Sequence, residues 1–240
     1  MKIIIGNYQQ ISKQIADEFI SLVKAKPNAV LGLATGTSPL EIYKNLIGAN
    51  KEGTVTFKDV TTFNLDEYVG LEGTHNQSYR YFMNYNLFDH LDINKDNTNV
   101  LPGVGDYKKA MLEYDGRIAA AGGIDIQLLG LGSDGHIAFN EPGTPFTSLT
   151  HETELTQQTI KDNSRLFDSI DEVPTSAVTM GLQSIMNARK IVLIATGKNK
   201  AEAVKGLLEG PITEDMPCSI LRNHPDVTLY LDEDAYSLIK

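Results

Sequence analysis

The strongest chemical signal in the chain is a histidine set among carboxylates: Asp134, His136, Asn140 and Glu141 fall in GLGSDGHIAFNEPG, residues 130–143. A lone histidine is more often structural than catalytic. Carboxylates within reach of the ring change that reading, because they orient it for proton transfer near neutral pH. A metal centre is the competing idea, and it ranks lower: the segment has no H-x-x-x-H spacing and no cysteine ligand. Gly130, Gly132 and Gly135 also satisfy the G-x-G-x-x-G dinucleotide fingerprint. That fingerprint should open a helix in a first βαβ unit, whereas here Asn140, Glu141, Pro142 and Gly143 follow at once in mid-chain, so the match is read as coincidence.

Three other segments combine an apolar run with unusual polar residues. In LGLATGTSPLEIYK, residues 31–44, Thr35, Gly36, Thr37 and Ser38 precede Pro39. The bland reading is a capped helix, with Pro39 at its first position and a Ser38–Glu41 capping box. The functional reading is a phosphate cradle, since free N–H groups, hydroxyls and a positive helix end all favour an anion. There is no Gly-Lys-Ser/Thr ending, which argues against a nucleotide P-loop. In VTTFNLDEYVGL, residues 60–71, Asp66 and Glu67 arrive at a strand end; an acid there is by default a solvated turn residue, but it is also where a general base is mounted on a rigid element. In IVLIATGKNKAEAVKGLLEG, residues 191–210, Lys198 and Lys200 sit at a helix start, where they oppose the helix dipole unless an anion is present. Arg165, in KDNSRLFD, is a further candidate phosphate contact.

The elements that must position these groups alternate between apolar runs and helix-period segments. Strands are expected at 2–5, 29–33, 60–65, 124–129, 191–195 and 227–231. Helices are expected on the stripe Ile11, Ile15, Phe19, Val23, from Pro39 onward, and at 77–91, 107–121, 174–188 and 201–208. The pattern predicts an α/β, three-layer, Rossmann-like domain spanning 1–240: a mostly parallel sheet with helices on both faces and ligand groups beyond the strands' carboxyl ends. Residues 146–173, polar and weakly periodic, are expected to form a mobile flap over the site.

Composition limits the function classes. With 21 Lys and Arg against 31 Asp and Glu the net charge is −10, and basic residues are scattered, which argues against nucleic-acid binding. No apolar run approaches the ~20 residues of a membrane helix. The N-terminal MKIIIGNYQQ is too short in apolar residues for a signal peptide and reads as a first strand. The single cysteine, Cys218, precludes an internal disulfide and fits a reducing, cytoplasmic setting.

LGLATGTSPLEIYK, FNLDEYVGL with the following HNQSY, GLGSDGHIAFNEPG, NSRLFD and GKNKAEAV together resemble the isomerising glucosamine-6-phosphate deaminases along nearly the whole chain. The resemblance implies conversion of glucosamine 6-phosphate to fructose 6-phosphate and ammonia, with no cofactor and no metal. Asp66 would move the proton between C2 and C1, and His136 would open the pyranose ring with Asp134 and Glu141 as its carboxylate partners. Thr35, Gly36, Thr37, Ser38, Arg165 and Lys200 would hold the phosphate. Longer, hexameric relatives carry basic residues after the Asn-Glu-Pro loop that bind the activator N-acetylglucosamine 6-phosphate. This chain has His151 and Thr153 there, so the expectation is a monomer without that activation. The rivals are a 6-phosphogluconolactonase-like hydrolase and a sugar-phosphate-sensing module; the latter would show a helix-turn-helix and a basic face, and neither is visible.

Overall fold

A computed structural model describes residues 1–164 and 167–239 of the protein, the Asp162 side chain apart. It begins with β1 (Lys2–Ile5) and α1 (Tyr8–Ala25). Ile11, Ile15, Phe19 and Val23 form the buried stripe of α1, and Asn7 caps it reciprocally with Gln10: Gln10 N donates to Asn7 Oδ1 at 2.9 Å and Asn7 N to Gln10 Oε1 at 3.1 Å. Then follow β2 (Val30–Leu33), α2 (Leu40–Lys51), β3 (Thr61–Asn64), β4 (Asp66–Tyr68), α3 (Tyr79–Asn86), β5 (Thr98–Asn99), α4 (Tyr107–Ala120) and β6 (Ile126–Leu129). The second half holds β7 (His151–Glu154), α5 (Gln157–Asn163), β8 (Ser176–Thr179), α6 (Leu182–Met186), β9 (Ile191–Ala195), α7 (Ala201–Glu209), β10 (Val227–Leu231) and α8 (Glu233–Tyr236).

Seven strands form one sheet in the order β1-β10-β9-β6-β2-β3-β5, every pairing parallel. Strands β2, β6, β9 and β10 are buried along their whole length, as an inner strand covered on both faces must be. The Rossmann-like α/β expectation therefore holds. In a parallel sheet all carboxyl ends share one edge. The segments after β3, β2, β6 and β9, neighbours in that order, are the four polar segments singled out in the sequence.

A second, antiparallel sheet, β4-β8-β7, was not expected. Asp66 does not end a strand: the chain bends at Leu65 and Asp66 opens β4. Residues 174–188, expected to be helical, instead form β8 and only the short α6. The buried Ala177, Val178, Met180, Leu182 and Ile185 fit a helical stripe, but 176–179 find open edges in β4 and β7, and cross-strand pairing overrides the periodicity. The helix expected at 77–91 is α3 followed by a 3-10 turn at Phe88–His90. The span 146–173 carries β7 and α5, and Arg165, within it, lies outside the described residues.

One polar knot ties the opposite edge of the sheet. Asp125, just before β6, accepts from Val30 N at 2.8 Å, from Lys26 Nζ at 2.8 and 2.9 Å, and from Arg189 Nη1 at 3.1 Å. It joins the start of β2 to the start of β6, remote from the strand-end residues. Asp125→Ala leaves the Val30 amide unpaired, and loss of charge-assisted hydrogen bonds of this kind costs about 1.5–3 kcal/mol. Urea unfolding is expected to show that loss.

Candidate active site

The segment after β2 shows why its hydroxyls are available. Helix α2 is capped not by Ser38 but by a residue from α1: Glu41 N donates to Tyr8 Oη at 3.2 Å, and Tyr8 Oη in turn donates to the carbonyls of Thr37 and Ser38, both at 3.1 Å. The expected Ser38–Glu41 capping box is absent, because Pro39 takes the N-cap position in a helical conformation. Buried Tyr43 pins the other end of the loop, its hydroxyl 2.5 Å from Ala34 O. Among the described residues no hydrogen bond engages the side chains of Thr35, Thr37 or Ser38. These residues and Gly36 line a cavity of about 720 Å³ together with Asp66, Tyr79, His136, Ala138 and Lys200. The geometry suits an anion such as a phosphate.

Across the cavity, two consecutive carboxylates are buried and treated differently. Glu67 Oε1 accepts from Tyr68 N and Tyr79 N, each at 2.9 Å, and Oε2 accepts from Arg80 N at 3.0 Å. It thereby caps α3 and anchors Tyr79 at the cavity wall. Burial pushes Glu67 up to about 7, against the pull of those three N–H donors. Asp66 has no hydrogen bond to its carboxylate among the described residues. Burial, then the neighbouring Glu67 charge, pushes it up to about 8. A carboxylate with such a proton affinity is a base matched to operation near neutral pH.

The third group is the loop after β6. Nδ1 of His136 lies 2.7 Å from Asp134 Oδ1 and 3.7 Å from Glu141 Oε2. The shorter contact is too bent for an aligned hydrogen bond, leaving Nδ1 and Glu141 Oε2 facing one another without a formed bond. Carboxylates only accept, so the tautomer assigned from these partners is Nδ1–H, which makes Nε2 the acceptor. Burial opposes the Asp134 charge, but the adjacent His136 ring and the His136 backbone N–H, which donates to Oδ1 at 3.1 Å, outweigh it and hold Asp134 down to about 2. Glu141 is fixed from its other oxygen by α5: Thr159 Oγ1 donates to Oε1 at 2.5 Å, with Thr156 N and Oγ1 each at 3.4 Å. The ligand atoms of Asp134, His136 and Glu141 gather within 4.8 Å, close enough to raise a metal reading. Yet Nδ1 and Asp134 Oδ1 at 2.7 Å stand closer than ligand atoms on a tetrahedral zinc at ~2.0–2.2 Å, which lie ~3.4 Å apart.

Local sequence explains the loop's shape. A Cβ at Gly132 would sit 2.3 Å from His136 Nδ1, and one at Gly135, where φ is +89°, 2.1 Å from Met216 Sδ. Two of the three glycines of the apparent dinucleotide fingerprint thus admit a histidine ring and a methionine, and no helix follows them. Aromatic rings close one wall: Tyr79 stacks on Phe139 at 6.0 Å, and Tyr68 lies 4.9 Å from Tyr79 and 5.9 Å from Phe167. Sequence reasoning missed Tyr8, Tyr79 and the Thr156–Thr159 pair. Only the last had a local signal, a threonine in N-cap position before α5.

Of the expected site residues, the structure brings Thr35, Gly36, Thr37, Ser38, Asp66, His136 and Lys200 to one cavity, with Asp134 and Glu141 directly behind the His136 ring. A parallel α/β sheet with paired acid–base groups and an anion loop at its carboxyl edge defines a class of small-ligand enzyme folds. More narrowly, residues 7–230 match the family model described as glucosamine-6-phosphate isomerases/6-phosphogluconolactonase, and the chain belongs to that family. It is 52% identical over 239 residues to a glucosamine-6-phosphate deaminase of Clostridium perfringens, covering 99% of both chains. It superposes on the solved structure of a monomeric glucosamine-6-phosphate deaminase with TM-score 0.97 and 44% identity, covering 99% of this chain and 100% of that one. A 6-phosphogluconolactonase from Trypanosoma brucei shares the fold, with TM-score 0.80 at 19% identity.

The close approach of His136 to Gly132 yields a test. Gly132→Ala must displace the imidazole, and misplacement of a reacting group by about 1 Å can cost ~10²-fold in rate. A loss of that order in kcat, with the folded state retained by circular dichroism, is the expected result.

Proposed function

We propose that this protein isomerises and deaminates glucosamine 6-phosphate to fructose 6-phosphate and ammonia. One observation carries the reading: Asp66, a buried carboxylate with raised proton affinity, lines the same cavity as the carboxylate-flanked His136 and the free hydroxyls of the 35–38 loop. The high identity to deaminases supports the substrate.

In this reading the phosphate occupies the cradle of Thr35, Gly36, Thr37 and Ser38, with Lys200 and, on closure of the 146–173 flap, Arg165. Phosphate contacts remote from C1 hold the reacting carbons against the base, so their binding energy serves the chemical step. His136 Nε2 takes the anomeric hydroxyl proton as the C1–ring oxygen bond breaks and returns it to the ring oxygen, giving the open-chain aldehyde. Asp66 removes the C2 proton, leaving an enolamine, and delivers it to C1. Water then adds to the resulting C2 imine, and the C2–N bond breaks to release ammonia and the ketose. Two adjacent carbons need one base of short reach, which suits an aspartate on a rigid strand. The protein acts as a monomer, a reading supported by the monomeric structural relative and by His151 and Thr153 in place of basic activator contacts, and the single Cys218 suits a reducing, cytoplasmic setting.

Ammonia release from glucosamine 6-phosphate, with no acid formed from 6-phosphogluconolactone, is the expected outcome of a paired assay; the reverse pattern overturns the reading. For the free enzyme, kcat/KM is expected to rise with pH toward about 8, as Asp66 loses its proton.

Asp66→Asn should lose ~10² or more in turnover while still binding a substrate analogue. The same substitution carries a stability signature. The folded state holds the Asp66 proton more tightly than the unfolded chain, whose value is near 3.8. The associated stability is therefore complete below that pH and is lost as pH rises through about 8. Asparagine removes the charge, so the variant's Tm advantage over the wild type should grow from acidic to mildly alkaline pH, at roughly 2–4 °C per kcal/mol. Differential scanning calorimetry across that range checks the sign.

A further inference from the structure

Asp66 and His136 are mounted on different elements, and among the described residues no hydrogen bond runs directly from Leu65 or Asp66 to the 136–141 loop. Both are hydrogen-bonded to the end of β8. Thr179 is the antiparallel partner of Asp66, and Met180 N donates to Leu65 O at 2.7 Å. On the other side Phe139 N donates to Thr179 Oγ1 at 3.1 Å, while Asn140 Nδ2 donates to Met180 O at 2.8 Å and to Ile137 O at 2.9 Å. Thr179 is fully buried, so its hydroxyl is not a solvated surface group.

The loop it holds has a conformation that needs holding. Between His136 and Glu141, Ala138 adopts φ +53°, the sole non-glycine left-handed residue among those described, in a tight turn closed by Asn140 N to Ile137 O at 3.2 Å. Such backbone persists where surrounding bonds over-determine it. The Thr179 and Asn140 bonds grip the turn on the two residues that follow Ala138.

We propose that Thr179 is a positioning residue, whose backbone fixes the Asp66 strand and whose hydroxyl fixes the His136–Glu141 turn, thereby setting the spacing between the proton-shuttling base and the ring-opening group. The inference rests on the reaction proposed above for these two groups. Valine at 179 keeps the shape, the burial and the β-strand pairing, and with them Asp66, but leaves the Phe139 amide without its acceptor. The 35–38 loop, on another element, is untouched.

The test compares Thr179→Val, Thr179→Ser and wild type. For Thr179→Val, kcat for ammonia release should fall about tenfold to a hundredfold while KM for glucosamine 6-phosphate stays within about threefold, the split that misorientation without lost substrate contacts gives. Serine, which restores the acceptor, should recover kcat to within about threefold. Exchange of the C1 protons of fructose 6-phosphate with solvent deuterium starts from a sugar that opens spontaneously and relies on Asp66, so it should suffer less than deamination. Independently of activity, amide exchange in peptides spanning 132–143 should quicken by about tenfold in Thr179→Val, with β4 still protected. Unchanged kcat, a loss confined to KM, no rescue by serine, or unchanged amide exchange would each overturn the proposal. If valine does not fold, Thr179→Ala removes the same hydroxyl and is read identically. A wild type that releases no ammonia overturns the assigned reaction instead, and the exchange measurement still decides whether Thr179 holds the turn.

Discussion

Taking a carboxylate out of water costs several kcal/mol unless hydrogen bonds or an opposite charge replace the solvent. This protein does so twice in succession, at Asp66 and Glu67, and much of the site's construction answers that cost. Glu67 receives three backbone N–H donors, two of them from the first turn of α3. The helix N-terminus contributes its positive end as well as its amides. That arrangement makes a buried charge tolerable and, by the same bonds, fixes where α3 starts and so where Tyr79 faces the cavity. Asp66 receives no such compensation. Its own burial, and then its neighbour's charge, favour the protonated form.

The His136 loop follows the opposite strategy, surrounding one ring with acceptors. Asp134 and Glu141 approach the same nitrogen, so the ring's tautomer is dictated by what lies behind it, and Nε2 is left for the cavity. Glu141 is in turn held by two threonines of α5. The 146–173 span therefore reaches into the acid–base centre itself, through Thr156 and Thr159, as well as contributing Phe167 to the aromatic wall. Any movement of that span changes the set of donors around Glu141. The aromatic wall and the bonds that hold Glu141 behind the ring are consequently linked in one piece of chain.

Much of this is legible in the amino-acid sequence, for identifiable reasons. The inner strands are continuous apolar runs, and a parallel sheet buries such runs on both faces. Four polar segments after four of them had to converge, because parallel strands share one carboxyl edge. What stayed hidden depends on contacts between distant residues. Nothing near Ser38 signals that Tyr8 caps α2 in its place. Nothing in 176–179 signals an edge partner at Asp66–Tyr68, and the helical spacing of its apolar residues is satisfied equally by a buried strand followed by a short helix. The glycine pattern misled for a related reason: Gly132 and Gly135 answer to a histidine ring and a methionine packed against them, and only the folded loop reveals it.

The sheet by itself does not choose the reaction. A 6-phosphogluconolactonase shares this architecture at 19% identity, and lactone hydrolysis needs a water activated for attack on the carbonyl. What that hydrolysis does not require is a second base placed to move a proton between neighbouring carbons. Here a buried carboxylate stands across the cavity from His136, and its cost is visible: Asp66 lies beside a like charge on a strand paired with β8. A protein that needed only to activate water at His136 would gain nothing from keeping a destabilising carboxylate across the cavity. The burial of Asp66 fits proton transfer between neighbouring carbons better than hydrolysis, a choice that a common fold leaves open.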